Sequence, residues 1–177
     1  MIIKLDDLRL RETPLEVDAV FTNRELKVNS AVVTLDRSVH ALMLVQLRGD
    51  CVRVKGSLET DVSLTCSRCA GSFARHLEKR FNLDYWPDPK TERESEEFEL
   101  NYSELEIGFY RNDQIDLSSV VSEQVTLDIP MNPICREDCK GLCDQCGADL
   151  NEGPCSCDRT RIDPRLEALA ELLKKKS

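Results

Sequence analysis

Aromatic residues are scarce in this chain. Phe, Tyr and Trp make up 5% of its 177 residues, with a single Trp, which leaves few rings for the stacking platforms that hold single-stranded nucleic acid. A surplus of positive charge is missing too: 24 Lys and Arg stand against 33 Asp and Glu, a formal net charge of -9. Phosphate-binding proteins carry a basic footprint, so bare duplex or RNA is a poor overall match. No apolar run approaches the roughly 20 residues needed to span a bilayer, and Met1-Ile2-Ile3-Lys4-Leu5-Asp6-Asp7 meets acidic residues too soon for a secretory signal. Only seven Gly and seven Pro are present, with no low-complexity tract. Ser, His and Asp are not grouped and no Gly-rich phosphate loop occurs, so the marks of a nucleophilic or phosphoryl-transfer enzyme are lacking.

What is present is globular: 41% hydrophobic and 32% charged residues, enough for one domain with an appendage. The expected compartment is the cytoplasm, where thiols stay reduced and cysteine pairs read as metal ligands before disulfides.

Nine cysteines stand out in such a chain. Eight form four close pairs: Cys66 and Cys69, Cys135 and Cys139, Cys143 and Cys146, Cys155 and Cys157. Two residues between thiols, as in Cys66-Ser67-Arg68-Cys69 and Cys143-Asp144-Gln145-Cys146, bring both sulfurs onto one ion, and Gly147 lets the backbone turn past it; Gly71 stands close behind the other pair. Spacings of three and one in the remaining pairs also serve. Eight thiolates fill two closed tetrahedral zinc sites and leave no position for substrate. Filling both takes the net charge from -9 to roughly -13. Cys143, Cys146, Cys155 and Cys157 can close a local site, which leaves Cys66 and Cys69 to join Cys135 and Cys139. The alternative pairs Cys66 and Cys69 with Cys143 and Cys146 as in a zinc ribbon, and single-site versions stay open. Cys51 reads as a buried, inert thiol, and His40 and His76 as structural residues. A two-residue spacing also serves thiol exchange, but thioredoxin-like context is missing. Arg68, Lys140, Arg159, Arg161 and Arg165 offer a local basic spot near the thiols, or else solvate a loop and pair with Asp158 and Asp163.

Along the chain, Ile2 to Leu5, Leu15 to Phe21 and Val32 to Leu35 read as short strands, and Val39 to Leu47 as a strand or a short helix. Period-two alternation is clear where Val52, Val54, Leu58, Val62 and Leu64 occupy even positions, with Gly56 permitting a bend or bulge. Phe73, Leu77, Phe81, Leu83 and Tyr85 continue on odd positions. The two runs predict a long antiparallel hairpin with Cys66 and Cys69 at its tip. An acidic linker occupies 87–99 and reads as a solvated loop. A strand from Leu105 to Arg111 turns at Asn112-Asp113. A helix over about 117–127 is capped by Asp116 or Ser118, with Leu117, Val120, Val121 and Leu127 facing the sheet. Asp163 and Pro164 start a terminal helix with Leu166, Leu169, Leu172 and Leu173 on one face.

The expected fold is α+β: a mostly antiparallel sheet or partly open barrel with a long hairpin, a Cys-rich zinc-bound segment and a terminal helix. The expected organisation is a β-rich core over 1–134 and a zinc-binding segment with an amphipathic helix over 135–177, packed on the core.

Leu64-Thr65-Cys66-Ser67-Arg68-Cys69, then Asp128-Ile129-Pro130-Met131-Asn132-Pro133, then Cys139 through Asn151, then Asp163-Pro164-Arg165-Leu166-Glu167-Ala168-Leu169 occur in this order. From about residue 50 to the end, the chain resembles the YceD family, the large ribosomal RNA subunit accumulation proteins. The resemblance implies a non-enzymatic cytosolic factor for synthesis, processing or stability of 23S rRNA, with no catalytic residues to carry over. The family's genes commonly neighbour one for a small basic large-subunit protein, and relatives occur in chloroplasts. Joined to the acidic charge, this predicts action through a basic ribosomal protein or another large-subunit assembly component, with 23S rRNA reached indirectly and no membrane. A zinc-ribbon adaptor for another machinery and a thiol redox protein are the alternative readings. Oligomeric state is not legible.

Overall fold

The computed structural model describes residues 1–26, 28, 33–88 and 107–157. In chain order the elements are β1 (Ile2–Lys4), α1 (Leu5–Arg9), β2 (Leu15–Phe21), β3 (Val33–Leu35), β4 (Val39–Arg48), β5 (Cys51–Thr65), β6 (Ser72–Pro87), β7 (Ile107–Tyr110), β8 (Gln114–Asp116) and α2 (Leu117–Asp128). The architecture is α+β. A six-stranded open sheet runs β2-β4-β5-β6-β7, with β3 beside β5, and β1 and β8 form a second, two-stranded sheet.

Alternation builds the large sheet. Val52, Val54, Leu58, Val62 and Leu64 of β5 all point inward and are essentially fully buried, while Arg53, Lys55, Ser57, Glu59 and Asp61 take the other face. β4 is a strand, not a helix, because Val39, Ala41, Met43 and Val45 recur every second residue and all are buried. Each such Val or Leu contributes about 1.5–3 kcal/mol of burial. The β5–β6 hairpin pairs in unbroken register from Val52↔Tyr85 to Thr65↔Ser72.

Gly56 makes no bulge. It pairs Met43 on one side and Phe81 on the other, and a Cβ there would lie 2.5 Å from the Leu42 carbonyl oxygen and 2.9 Å from Met43 Cγ. Its role is close backbone approach.

α1 packs on β4, and α2 on β6 and β1, so both helices cover the inner face. Asp116 is the N-cap of α2, its carboxylate accepting from Ser118 N at 3.0 Å. Leu117, Val120, Val121, Gln124 and Val125 form the buried stripe. Leu127 was expected on that face but is 71% exposed; although two turns from buried Val120, it lies in the last turn of α2, which ends at Asp128. Leu5 was expected to end a strand but starts α1. The Asn112-Asp113 turn is present, both residues at positive φ (56° and 52°) as a tight hairpin turn demands, with Arg111 bridging to Gln114. β7 runs parallel to β6, an arrangement that no alternation pattern announces. The bulk of the acidic linker, positions 105–106 of the expected strand, and the terminal helix lie outside the described residues. Among the described residues no helix is long and apolar enough to cross a membrane.

Candidate metal centres

The hairpin tip is a tight knuckle. Cys66 N donates to Gly71 O and Ala70 N donates to Cys66 O, each at 2.9 Å. Closing it places Ala70 at φ 55°, a left-handed conformation that costs a residue with a Cβ about 1–2 kcal/mol. The same device recurs later in the chain. Cys143 N donates to Ala148 O at 2.8 Å, Gly147 N to Cys143 O at 2.9 Å, and Gly147 has φ 72°. The structural counterpart of Gly147 is therefore Ala70, not Gly71.

Four sulfurs meet at each knuckle. Cys66, Cys69, Cys135 and Cys139 form one set; Cys143, Cys146, Cys155 and Cys157 form the other. Within each set all sulfurs lie within 4.8 Å of one another. The ribbon-like grouping of Cys66 and Cys69 with Cys143 and Cys146 is not the one present. No disulfide links any of the nine thiols. Cys66 Sγ lies 3.9 Å from Cys139 Sγ and Cys69 Sγ 3.8 Å from Cys135 Sγ. A tetrahedral ion with metal–sulfur bonds near 2.3 Å requires sulfurs about 3.8 Å apart, whereas a disulfide requires about 2.05 Å. The donor set fits a tetrahedral thiolate-bound metal ion.

The protons of the first set tell the same story. Backbone N–H donation at Cys69, aided by Cys135 and Arg68 and opposed by burial, pulls the Cys66 thiol down to about 6. Burial and the neighbouring sulfurs of Cys139, Cys66 and Cys69 push Cys135 up to about 12. In the second set the Cys146 sulfur, then burial and Cys143, push Cys157 up to about 12. Four sulfurs this close cannot all ionise alone; a divalent cation removes the conflict by displacing their protons.

Several groups that tie the tail to the sheet were not read from the sequence. Ser67 donates through N and Oγ to Pro133 O, both at 2.8 Å. Arg68 Nη1 donates to Glu137 O and Cys139 O at 3.1 Å each, and Leu142 N donates to Arg68 O at 3.0 Å. Gly141 lets this happen, since a Cβ there would sit 2.9 Å from Arg68 O. Asn151 links the two centres: its Nδ2 donates to Cys139 Sγ at 3.6 Å, and its Oδ1 accepts from Lys140 N and Arg136 Nη2 at 2.9 Å each. A sequence trace of this existed in Asp149-Leu150-Asn151, where Asp149 Oδ1 accepts from Asn151 N at 2.8 Å in an Asx turn. Arg68 is thus engaged with backbone carbonyls rather than free to form a basic spot. Arg159, Arg161 and Arg165 lie outside the described residues. Cys51 is buried, its thiol pushed up by burial.

A sheet whose longest hairpin meets a Cys-rich tail at one four-thiol set, with a second set inside that tail, marks a class of β proteins whose cysteine sets could hold metal ions. Within it, this chain belongs to the YceD family, described as large ribosomal RNA subunit accumulation protein YceD, which matches residues 54–173. It is similar to an uncharacterized protein of Mycobacterium tuberculosis, 30% identical over 152 residues, covering 83% of this chain and 69% of the relative. It is similar also to the large ribosomal RNA subunit accumulation protein YCED homolog 1, chloroplastic, of Arabidopsis thaliana, 28% identical over 141 residues, covering 68% of this chain and 44% of that protein. A shorter likeness, 36% over 70 residues, joins it to the uncharacterized protein YlbN of Bacillus subtilis, covering 39% and 41% of the two chains. No solved structure gives a significant match.

Proposed function

We propose that this protein is a non-enzymatic, zinc-stapled cytoplasmic factor that supports 23S rRNA accumulation and biogenesis of the large ribosomal subunit. The observation that carries this reading is the family match over residues 54–173, joined to two sets of four cysteine sulfurs that lie within 4.8 Å of one another. The plant relatives from Arabidopsis thaliana and Zea mays bear the name of large ribosomal RNA subunit accumulation proteins, which supports a ribosome-related role. Cys66, Cys69, Cys135 and Cys139 would hold one ion and Cys143, Cys146, Cys155 and Cys157 the other. Zinc suits such sets because it is tetrahedral, redox-inert and well matched to thiolates. Its work there is to hold the fold: the core over 1–134 is joined to the segment 135–177 through the first centre.

The net charge of -9 favours contact with a basic ribosomal protein or another assembly protein over coating bare RNA. Depletion of the protein followed by sucrose-gradient profiles is the test. The expected result is loss of 50S particles and 23S rRNA; unchanged levels of both remove the reading. Elemental analysis of protein purified under reducing conditions should return about two zinc per chain, and a value near zero removes the metal assignment. A pull-down in which 23S rRNA stays bound after protein partners are stripped overturns the indirect route.

A further inference from the structure

Asn151 belongs by sequence to the second thiol set, since it lies between Cys146 and Cys155. In space it serves the first. Its side-chain amide fills every hydrogen-bonding position it has. Oδ1 accepts from Lys140 N and from Arg136 Nη2 at 2.9 Å each, and Nδ2 donates to Asp149 Oδ1 at 2.6 Å and to Cys139 Sγ at 3.6 Å. The network fixes which way the amide points. Lys140 N and Arg136 Nη2 can only donate and the Asp149 carboxylate can only accept, so a reversed amide would break these contacts. Arg136 follows Cys135 and Lys140 follows Cys139. The amide therefore grips both ends of the loop that carries two thiols of the first set.

The second set's own loop holds Asn151 in this position. On the near side, Leu142 N donates to Arg68 O at the hairpin tip and Leu150 N to Gly141 O, each at 3.0 Å. Leu142 also bridges to Asp149, and Leu150 is buried. On the far side the chain runs through exposed Glu152 and Pro154 to Cys155 and Cys157. The gathering of these two sulfurs with those of Cys143 and Cys146 tethers that side and restricts the segment carrying Asn151.

We propose that the second thiol set is a latch on the first. Sulfurs drawn together on a metal ion in the second set hold Asn151 against Cys139, and the donated N–H stabilises the Cys139 thiolate as a ligand. Loading of the second set therefore strengthens metal retention at the first. A hydrogen bond to a charged acceptor is stronger than one to a neutral group, and partners behind a metal ligand commonly carry about 10–100-fold in metal affinity. By reciprocity, a loaded first set favours loading of the second. The coupling rests on the metal assignment of the two sets and is independent of the rRNA reading.

The test uses the full chain loaded with cadmium, each set giving its own cadmium NMR resonance, and follows the loss of each resonance to added EDTA. Cys155→Ser/Cys157→Ser empties the second set and so identifies the resonance of the first. Asn151→Asp keeps the accepting oxygen and removes the donor, and should speed loss from the first set ~10-fold. Emptying the second set with Asn151 intact should speed it ~3-fold. The triple variant should lose first-set cadmium no faster than Asn151→Asp alone, because both changes act through one hydrogen bond. A wild-type rate at the first set in either Asn151→Asp or Cys155→Ser/Cys157→Ser overturns the proposal, and so does multiplication of the two effects in the triple variant. A wild-type chain that binds no cadmium overturns it together with the metal assignment, whereas two bound ions lost independently remove the coupling alone.

Discussion

The two thiol sets share a knuckle and differ in what they join. The first gathers Cys66 and Cys69 from the β5–β6 tip with Cys135 and Cys139 from beyond α2, so it spans a long stretch of chain, and Cys66 and Cys139 are 2% and 4% exposed. The second gathers four residues from one short segment, and its Cys146 is exposed. A cross-link between distant residues removes far more freedom from the unfolded chain than a local one. It also reinforces the hydrogen bonds of Ser67, Arg68 and Leu142 that join the tip to the tail. The first set should act on the whole fold and the second mainly on its own loop.

The largest effect should come from breaking that asymmetry at the thiols. Cys66→Ser or Cys139→Ser should release about one metal and lower the stability of the whole chain by at least ~3 kcal/mol, read by elemental analysis and thermal unfolding. Cys155→Ser should also release about one metal but shift sheet unfolding by less than ~1 kcal/mol. Equal shifts for the two would erase the distinction. Next in size is Arg68→Ala, which removes both carbonyl contacts of the guanidinium. A loss of about 1–2 kcal/mol is expected with metal content unchanged, and a loss of metal would mean that Arg68 holds the site itself.

The two knuckles offer a smaller contrast. Ala70→Gly should relieve left-handed strain and, after the entropy cost of Gly, gain about 0.5–1 kcal/mol. Gly147→Ala should cost about 1 kcal/mol or more for the converse reason. A destabilised Ala70→Gly variant would show that the strain is not where the backbone puts it.

Smallest of all are the histidine pairs of the sheet, which should leave both thiol sets alone. Hydrogen bonding to Asp18 raises the pKa of His40, and Asp61 raises that of His76. A raised folded-state pKa means stabilisation that is fully present below the ordinary histidine value and lost as pH rises through the folded one. Replacing both by Gln should flatten the pH dependence of unfolding just above pH ~6.5, with metal content unchanged.

Much of the hairpin was legible because Val52 through Leu64 and Phe73 through Tyr85 alternate so regularly. The pairs of cysteines were legible because spacing alone brings two sulfurs together. Other features were not. β7 is four residues long and pairs parallel, so its partner depends on a connection and not on its own pattern. Leu127 is apolar and in phase with buried Val120, yet it is exposed in the last turn of α2. Ala70 adopts a conformation that its residue type disfavours, because the knuckle geometry overrides it. Arg68 reads as free positive charge in a sequence, and carbonyls of Glu137 and Cys139 arrive beside it only after the tail has folded back.

Taken alone, the amino-acid sequence determined which residues alternate, which thiols come in twos, and that the chain is acidic, since these are local properties of spacing and composition. Tertiary structure decided which pairs share a centre, that Gly56 serves close approach rather than a bulge, and that Val20, Leu42 and Leu44 fall together on the outer face of the sheet. Those outcomes depend on strand order and register, which couple residues far apart in the chain and leave no short-range mark.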